Sequence, residues 1–85
     1  MKISLRGFGS ARGLNGVSFE LNHDITIADL RQYLQAELPN LVTNSQEILP
    51  LLASCAFATN QQVLADDLIV NQDIVLNVLP PVCGG

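Results

Sequence analysis

The hydrophobic pattern of the chain changes its period near Thr26, and this change constrains the fold more than any other feature. Before Thr26, residues 2–6 (KISLR) and 17–22 (VSFELN) alternate apolar and polar side chains, which is typical of strands that bury one face. After it, apolar residues recur at spacings of three and four, which indicates a helix with one buried side: Ile27, Leu30, Leu34 and Leu38. Thr26 can cap this helix, with Asp29 three residues on as its capping-box partner.

A glycine-rich stretch, FGSARGLNG at 8–16, joins the two predicted strands. It has neither the G-x-G-x-x-G spacing nor the Gly-Lys-Ser/Thr ending of a phosphate-binding loop, so we interpret it as a plain loop. Two alternating strands around such a connection predict an antiparallel hairpin.

The segment after the predicted helix is interpreted mainly as irregular structure. Pro39 is expected to end the helix at or before Leu38, because proline disfavours the helical conformation in the residue before it. Residues 39–52 are rich in Pro, Asn, Ser and Thr and are interpreted as loop and turn. Residues 54–58 (SCAFA) predict a buried strand whose small side chains suit the centre of a sheet beneath the helix, and 60–67 predict a turn and a short edge strand.

The last predicted strand, IVLNVL at 74–79, is β-branched and aliphatic, a strong strand pattern. Because it is the most apolar strand, we expect it at the centre of the sheet, beside the first strand and parallel to it. The order of elements predicts a β-grasp fold of the α+β class, with a mixed sheet of about four to five strands and one main helix packed on one face. Residues 1–79 are expected to form this domain, and residues 80–85 a flexible tail.

Composition and charge exclude several classes of function. The 85-residue chain has a formal net charge of −4, and its four bases are scattered, which argues against nucleic acid and favours a partner with a basic surface. The longest apolar run, 48–58, is too short to span a membrane, and the N-terminus has no apolar core of a signal peptide. Two cysteines make neither a disulfide framework nor a zinc site, so we expect a cytoplasmic protein that binds no metal. The one histidine, His23, lies in a polar turn, and no pattern indicates a catalytic centre within the domain.

The chain ends in LPPVCGG, at 79–85. Pro80 and Pro81 cannot continue a strand ladder and stiffen its exit, and six extended residues from Pro80 reach about 20 Å. Gly84 and Gly85 have no side chains, so the terminal carboxylate can pass through a narrow channel into the active site of another protein. The tail is therefore predicted to be a tether with its reactive group at the end.

Three stretches of the sequence match the pattern of a known family. FGSARGLNG fits F-x-x-x-R-x-L-x-G, DITIADLRQYL at 24–34 fits a helix entry of the form T-V-x-x-L-x-x-x-L, and NVLPPVCGG at 77–85 fits an F-P-P-V-x-G-G ending. In these features the chain resembles the small, sulfur-carrying subunit of molybdopterin synthase, within the ubiquitin-like β-grasp superfamily that also contains the thiamine-pathway sulfur carrier. The Pro-Pro-Val favours the molybdopterin branch. Where this family has a Gly-Asp turn before the last strand, Asn71 is expected to take the left-handed conformation.

The resemblance implies a cycle of sulfur transfer in which the chain is not catalytic alone. A ubiquitin-activating-like adenylyltransferase would adenylate the Gly85 carboxylate with ATP, and a sulfur donor enzyme would displace AMP and leave a thiocarboxylate. The tail would insert into the molybdopterin synthase large subunit, where Gly85 donates sulfur to the pterin precursor. The inserted residues before Gly85 would be Pro80, Pro81, Val82, Cys83 and Gly84. The chain itself is expected to bind no cofactor, because the activating partner uses the ATP.

A partner interface is expected at Phe8, Arg12 and Leu79, near the tail. Core filling by Phe8 is an alternative, since strand alternation places it ambiguously. Cys83 is interpreted as a small tail residue, with an acyl- or persulfide-carrying thiol as the alternative, and Cys55 as core packing. Three other functions stay open: a carrier for thiamine or another sulfur-transfer pathway, a ubiquitin-like modifier of target lysines, and a β-grasp interaction module with an inert tail.

Overall fold

A hairpin opens the fold, as predicted. The structure, a computed structural model, describes residues 1–81, with β1 at Lys2–Gly7 and β2 at Ser18–Glu20. The two strands pair antiparallel, with Ile3 opposite Phe19. Alternation along β1 buries every second side chain against the core and points the others to the opposite face of the sheet.

The glycine-rich connection is a 3₁₀ helix at Gly9–Leu14, and not the plain loop that its glycines predict. Ala11 and Leu14 lie three residues apart, so both fall on one side of a 3₁₀ helix, and both are fully buried. The helix folds back on β1, where a Cβ atom on Gly7 would overlap the carbonyl group of Ala11. Gly16, with φ at +85°, then turns the chain into β2 in a conformation that glycine adopts without steric cost.

The main helix, α1, spans Ile27–Leu41 and directly follows a two-residue strand, β3, at Ile25–Thr26. The Thr26 hydroxyl accepts a hydrogen bond from the Asp29 amide at 3.1 Å, which confirms the predicted cap. All four residues of the predicted apolar stripe are fully buried and join the core formed with the sheet: Ile27, Leu30, Leu34 and Leu38.

The predictions drawn from the prolines were wrong. α1 continues through Pro39, and the segment interpreted as loop contains a second helix, α2 at Ser45–Leu52, with Pro50 inside it. Both prolines are exposed, so neither ring has to fit into the core. α2 forms because Ile48 and Leu52, one helical turn apart, are buried in the core, and this tertiary burial outweighs the backbone hydrogen bond that a proline lacks.

The main sheet has four strands in the order β2-β1-β6-β4, where β4 spans Ala56–Ala58 and β6 spans Ile74–Leu79. β1 and β6 are parallel neighbours at its centre, as predicted. β4 pairs antiparallel with β6 at the edge, so the expected central position of 54–58 was wrong. Phe57 is nevertheless fully buried in the core, and Ala58 forms an isolated bridge with Val63 on the outer side of β4.

That bridge is all that forms of the edge strand predicted at 60–67. The next strand, β5 at Ile69–Val70, pairs with β3 in a separate two-stranded sheet. The carbonyl oxygens of Asp66 and Leu68 accept hydrogen bonds from the first amides of α1, at 2.9 and 3.0 Å. This segment is therefore tied to the helix entry and cannot extend the edge of the main sheet.

The turn before β6 is stabilised by Asp73 and not by a left-handed Asn71. None of the non-glycine residues among 1–81 has a positive φ, so the predicted conformation of Asn71 was wrong. Asp73 Oδ1 accepts a hydrogen bond from the Lys2 amide at 2.7 Å, which ties the start of β6 to the start of β1.

The main sheet has a covered face and an open one. Leu76 and Val78 alternate toward the helices and are buried, whereas Val75 and Leu79 alternate away and are exposed. We call the open side the outer face and define it by six residues of the two central strands: Lys2, Ser4, Arg6, Val75, Asn77 and Leu79.

Candidate functional site

The two central strands end together, because parallel strands run to the same edge of a sheet. The register pairs Gly7 with Val78, so the next residues, Phe8 and Leu79, lie side by side. Phe8 is 44% exposed and Leu79 is 36% exposed. The fold therefore presents two apolar side chains to solvent at the point where the chain leaves the sheet.

Pro80 leaves the sheet over the start of the 3₁₀ helix. A Cβ atom on Gly9 would lie 3.6 Å from Pro80 Cγ, in ordinary van der Waals contact. We call the group formed by Phe8, Leu79 and Pro80 the tail-exit surface. The remaining tail residues of the prediction, Val82 to Gly85, lie outside the described residues.

The predicted interface residue Arg12 lies near this surface, exposed on the 3₁₀ helix. It lines a cavity of about 280 Å³ together with Gly9, Glu47 and Ile48. Among residues 1–81, ion pairs join the N-terminus to Glu20 and Arg31 to Asp66, so Arg12 and Glu47 face one cavity without forming a pair. The guanidinium of Arg12 is thus available to a partner that approaches the tail exit.

The F-x-x-x-R-x-L-x-G pattern divides into structural and surface residues. Leu14 is fully buried, and Gly16 takes a positive φ that closes the turn into β2. Phe8 and Arg12 are exposed, and core filling by Phe8 is therefore ruled out. The folded domain accounts for half of the pattern, and the half it does not use lies next to the tail exit.

Arg6 also belongs to this region and was missed in the sequence. Its guanidinium carbon lies 5.7 Å from the centroid of the Phe8 ring, a cation–π contact between residues two apart on one side of the chain. The sequence already indicated that Arg6 is exposed, because the alternation of KISLR places it on the open face of the sheet.

A second arginine, Arg31, is used entirely inside the fold. Its Nη1 donates hydrogen bonds to the carbonyl oxygens of Leu52 and Cys55, each at 2.7 Å, and its guanidinium lies 5.0 Å from the Phe57 ring centroid. Its Nη2 lies 3.5 Å from Asp66 Oδ1. Arg31 therefore connects α1 to the end of α2 and the start of β4.

Cys55 is buried beside Arg31, which confirms its predicted core position. Burial raises the pKa of its thiol, and the charge of Arg31 offsets part of that rise. The thiol is therefore protonated at neutral pH and out of reach of a protein partner.

Nothing else in the described part of the chain assembles a reactive centre. His23 is exposed, with Nδ1 2.9 Å from its neighbour's carbonyl oxygen. No three His, Cys, Asp or Glu side chains among residues 1–81 are placed to hold a metal ion. No helix within the same range is long and apolar enough to cross a membrane. What the described residues present near the end of β6 is an apolar pair with two arginines beside it, a composition that suits contact with another protein.

Comparison with known proteins bears on the family and the fold of the chain. No curated protein matches the chain. The ThiS family, whose members have the β-grasp fold, matches residues 7–85, a range that includes the 3₁₀ connection, both helices, β6 and the C-terminal residues. The chain therefore belongs to the ThiS family of ubiquitin-like sulfur carriers.

Proposed function

We propose that this sulfur carrier works through a thiocarboxylate on Gly85 and supplies sulfur for molybdopterin synthesis, as the small subunit of molybdopterin synthase. The observation that carries the proposal is the exposed apolar surface at the end of β6, from which the sequence continues to Gly84 and Gly85. A chain of this family ends in Gly-Gly just beyond an exposed apolar surface, so a partner that binds the surface is positioned to receive the end of the chain.

The chemistry requires activation of the carboxylate. A carboxylate is a poor acyl electrophile, so the adenylyltransferase first joins the Gly85 carboxylate to AMP and releases pyrophosphate from ATP. Sulfur at the sulfide oxidation level, supplied by the donor enzyme, then attacks the acyl carbon, and the C–O bond to AMP breaks. The product is a thiocarboxylate, whose sulfur is the nucleophile in the later transfer.

The carrier contributes reach and recognition to this cycle, and the partners contribute the catalytic groups. Pro80 and Pro81 direct the tail away from the sheet, and the glycines keep its end narrow. Phe8, Leu79 and Arg12 stay at the mouth of the partner's channel and bind its surface. Cys83 serves in this proposal as a small residue, which a Cys83→Ala variant tests: it should form the thiocarboxylate at the wild-type rate.

The Pro-Pro-Val of the tail supports the molybdopterin branch over the thiamine branch. The acceptor of sulfur from the thiocarboxylated chain decides between the two branches. We expect delivery to a pterin precursor in the presence of a molybdopterin synthase large subunit. Delivery only to the thiazole-forming enzyme of thiamine synthesis would assign the chain to that branch instead.

Mass spectrometry of the intact chain tests the central step. After incubation with an adenylyltransferase, ATP and a sulfur donor, we expect the mass gain of one oxygen replaced by one sulfur, located at Gly85. An isopeptide bond between Gly85 and a lysine would show a protein modifier. An unchanged C-terminus with every candidate enzyme would reject the carrier mechanism and leave an interaction module.

A further inference from the structure

Arg6 is an exposed cation on the outer face that forms no ion pair with the residues that the structure describes. None of the ion pairs or side-chain hydrogen bonds among residues 1–81 includes it. Its guanidinium stacks on the exposed ring of Phe8. The contact holds the charge against the tail-exit surface and leaves its N–H donors without protein acceptors in this range.

The immediate neighbours of Arg6 among the described residues carry no negative charge. Ser4 and Phe8 flank it along the chain, and Asn77 lies beside it on β6. Asn77 Nδ2 donates to Asn60 Oδ1 at 3.1 Å, and Asn77 Oδ1 is buried with no hydrogen-bond partner among residues 1–81. An unoccupied acceptor thus lies next to Arg6, and the guanidinium still stacks on the ring.

At the opposite end of the outer face, carboxylates lie close to the cationic groups. There the register places Lys2 across from Glu20, and Asp73 binds the Lys2 amide. The N-terminal ammonium lies 3.8 Å from Glu20. The start of β1 therefore has carboxylates close by, one of them paired with the N-terminal ammonium, whereas Arg6 near its end has no ion pair among residues 1–81, although the chain as a whole has a net charge of −4.

We propose that Arg6 is a specificity-determining residue of the tail-exit surface: it selects a partner protein that has a carboxylate beside the apolar depression that takes Phe8. This inference rests on the proposed function and adds the charge of the partner to it. A guanidinium that already lies over the Phe8 ring has less conformational freedom to lose, so Arg6 loses less side-chain entropy when it pairs with the partner's carboxylate. The partner that buries Phe8 must also meet Arg6, because one contact holds the two together.

The reach of the tail separates this role from catalysis. Residues 80–85 span about 20 Å when extended, so a terminal carboxylate in an active site leaves Arg6 at the partner's surface. Arg6 then contacts neither ATP nor the reacting carboxylate. Its loss is expected to raise the KM for the carrier and leave kcat unchanged.

The test compares two charge reversals on one strand. Arg6→Glu and Lys2→Glu each change the net charge equally, on the same face of β1, about 13 Å apart. The probe is an adenylyltransferase that activates the wild-type chain, and the assay is ATP–pyrophosphate exchange at rising concentrations of carrier. Thermal unfolding checks that both full-length variants are folded, and Arg6→Lys restores the charge.

We expect Arg6→Glu to raise KM by about three- to tenfold at low salt. The free energy of an exposed ion pair is small, and charge reversal adds repulsion from the partner's carboxylate. The effect should shrink at high salt, as the Debye length falls from about 10 Å at 0.1 M to about 3 Å at 1 M. Lys2→Glu should stay near wild type, and Arg6→Lys should lie closer to wild type than Arg6→Glu.

Two results overturn the inference. One is a KM for Arg6→Glu within the error of wild type, and the other is an equal rise for Lys2→Glu, which would show a response to net charge alone. A wild-type chain that no adenylyltransferase activates refutes the proposed function, and this inference with it. Activation of the wild type with no effect at Arg6 refutes this inference only.

Discussion

Truncation of Phe8 to alanine measures how much of partner binding the tail-exit surface supplies. Phe8 is 44% exposed, and a phenylalanine has about 200 Å² of surface, so a partner can bury about 90 Å² of it. At about 25 cal/mol per Å² this burial is worth about 2 kcal/mol, or about thirtyfold in Kd. The expected result is binding to the adenylyltransferase that is weaker by up to that factor.

Val75→Ala is the matched control, because Val75 is 52% exposed on the same outer face but lies four residues before Leu79. The Kd of each full-length variant can be measured by isothermal titration calorimetry without ATP. Since part of the Phe8 ring contacts the protein, Phe8→Ala also loses some stability, so the titration is done below its thermal midpoint. Equal losses for the two variants, or a Kd within twofold of wild type for Phe8→Ala, would refute the assignment of this surface.

Three further perturbations test other parts of the account. Deletion of Gly85 should leave the thermal midpoint unchanged, because the tail lies beyond the last strand, and should abolish thiocarboxylate formation in the mass spectrum. Arg31→Ala should lower the free energy of unfolding in urea by about 2–4 kcal/mol, because it leaves two carbonyl groups without their charged donor; a loss below 1 kcal/mol would contradict the connecting role. Because burial raises the pKa of Cys55, its protonated thiol favours the folded state below the unfolded pKa of about 8.5, and this contribution is lost as pH rises through the folded pKa. The free energy of unfolding in urea should therefore fall more steeply from neutral to alkaline pH for wild type than for Cys55→Ala. Parallel pH profiles of the two proteins would argue against a raised pKa.

Local patterns in the sequence were sufficient for the elements whose period is regular. The alternation in 2–6 predicted β1, and the stripe from Ile27 to Leu38 predicted the buried side of α1. The apolar character of 74–79 predicted β6 as the central neighbour of β1. These predictions hold because each depends on which side chains must leave water, and that is a property of the local sequence.

Elements that depend on distant contacts were not predictable in the same way. α2 contains Pro50, and local propensity therefore opposes it, but burial of Ile48 and Leu52 in the common core makes the helix favourable. The segment that contains Asp66 reads as an edge strand by composition and is instead hydrogen-bonded to the entry of α1. Neither outcome follows from nearby residues, because the deciding partner is far along the chain.

The candidate site divides along the same line. The sequence by itself determined the family, the Gly-Gly ending and a prediction that Phe8, Arg12 and Leu79 form an interface, since each is carried by residue identity and spacing. Only the tertiary structure decided that Phe8 is on the surface, that the parallel register brings it beside Leu79, and that Arg6 stacks over its ring. The physical reason is that exposure and side-chain contact depend on how β1 and β6 pair, across more than 70 residues of chain.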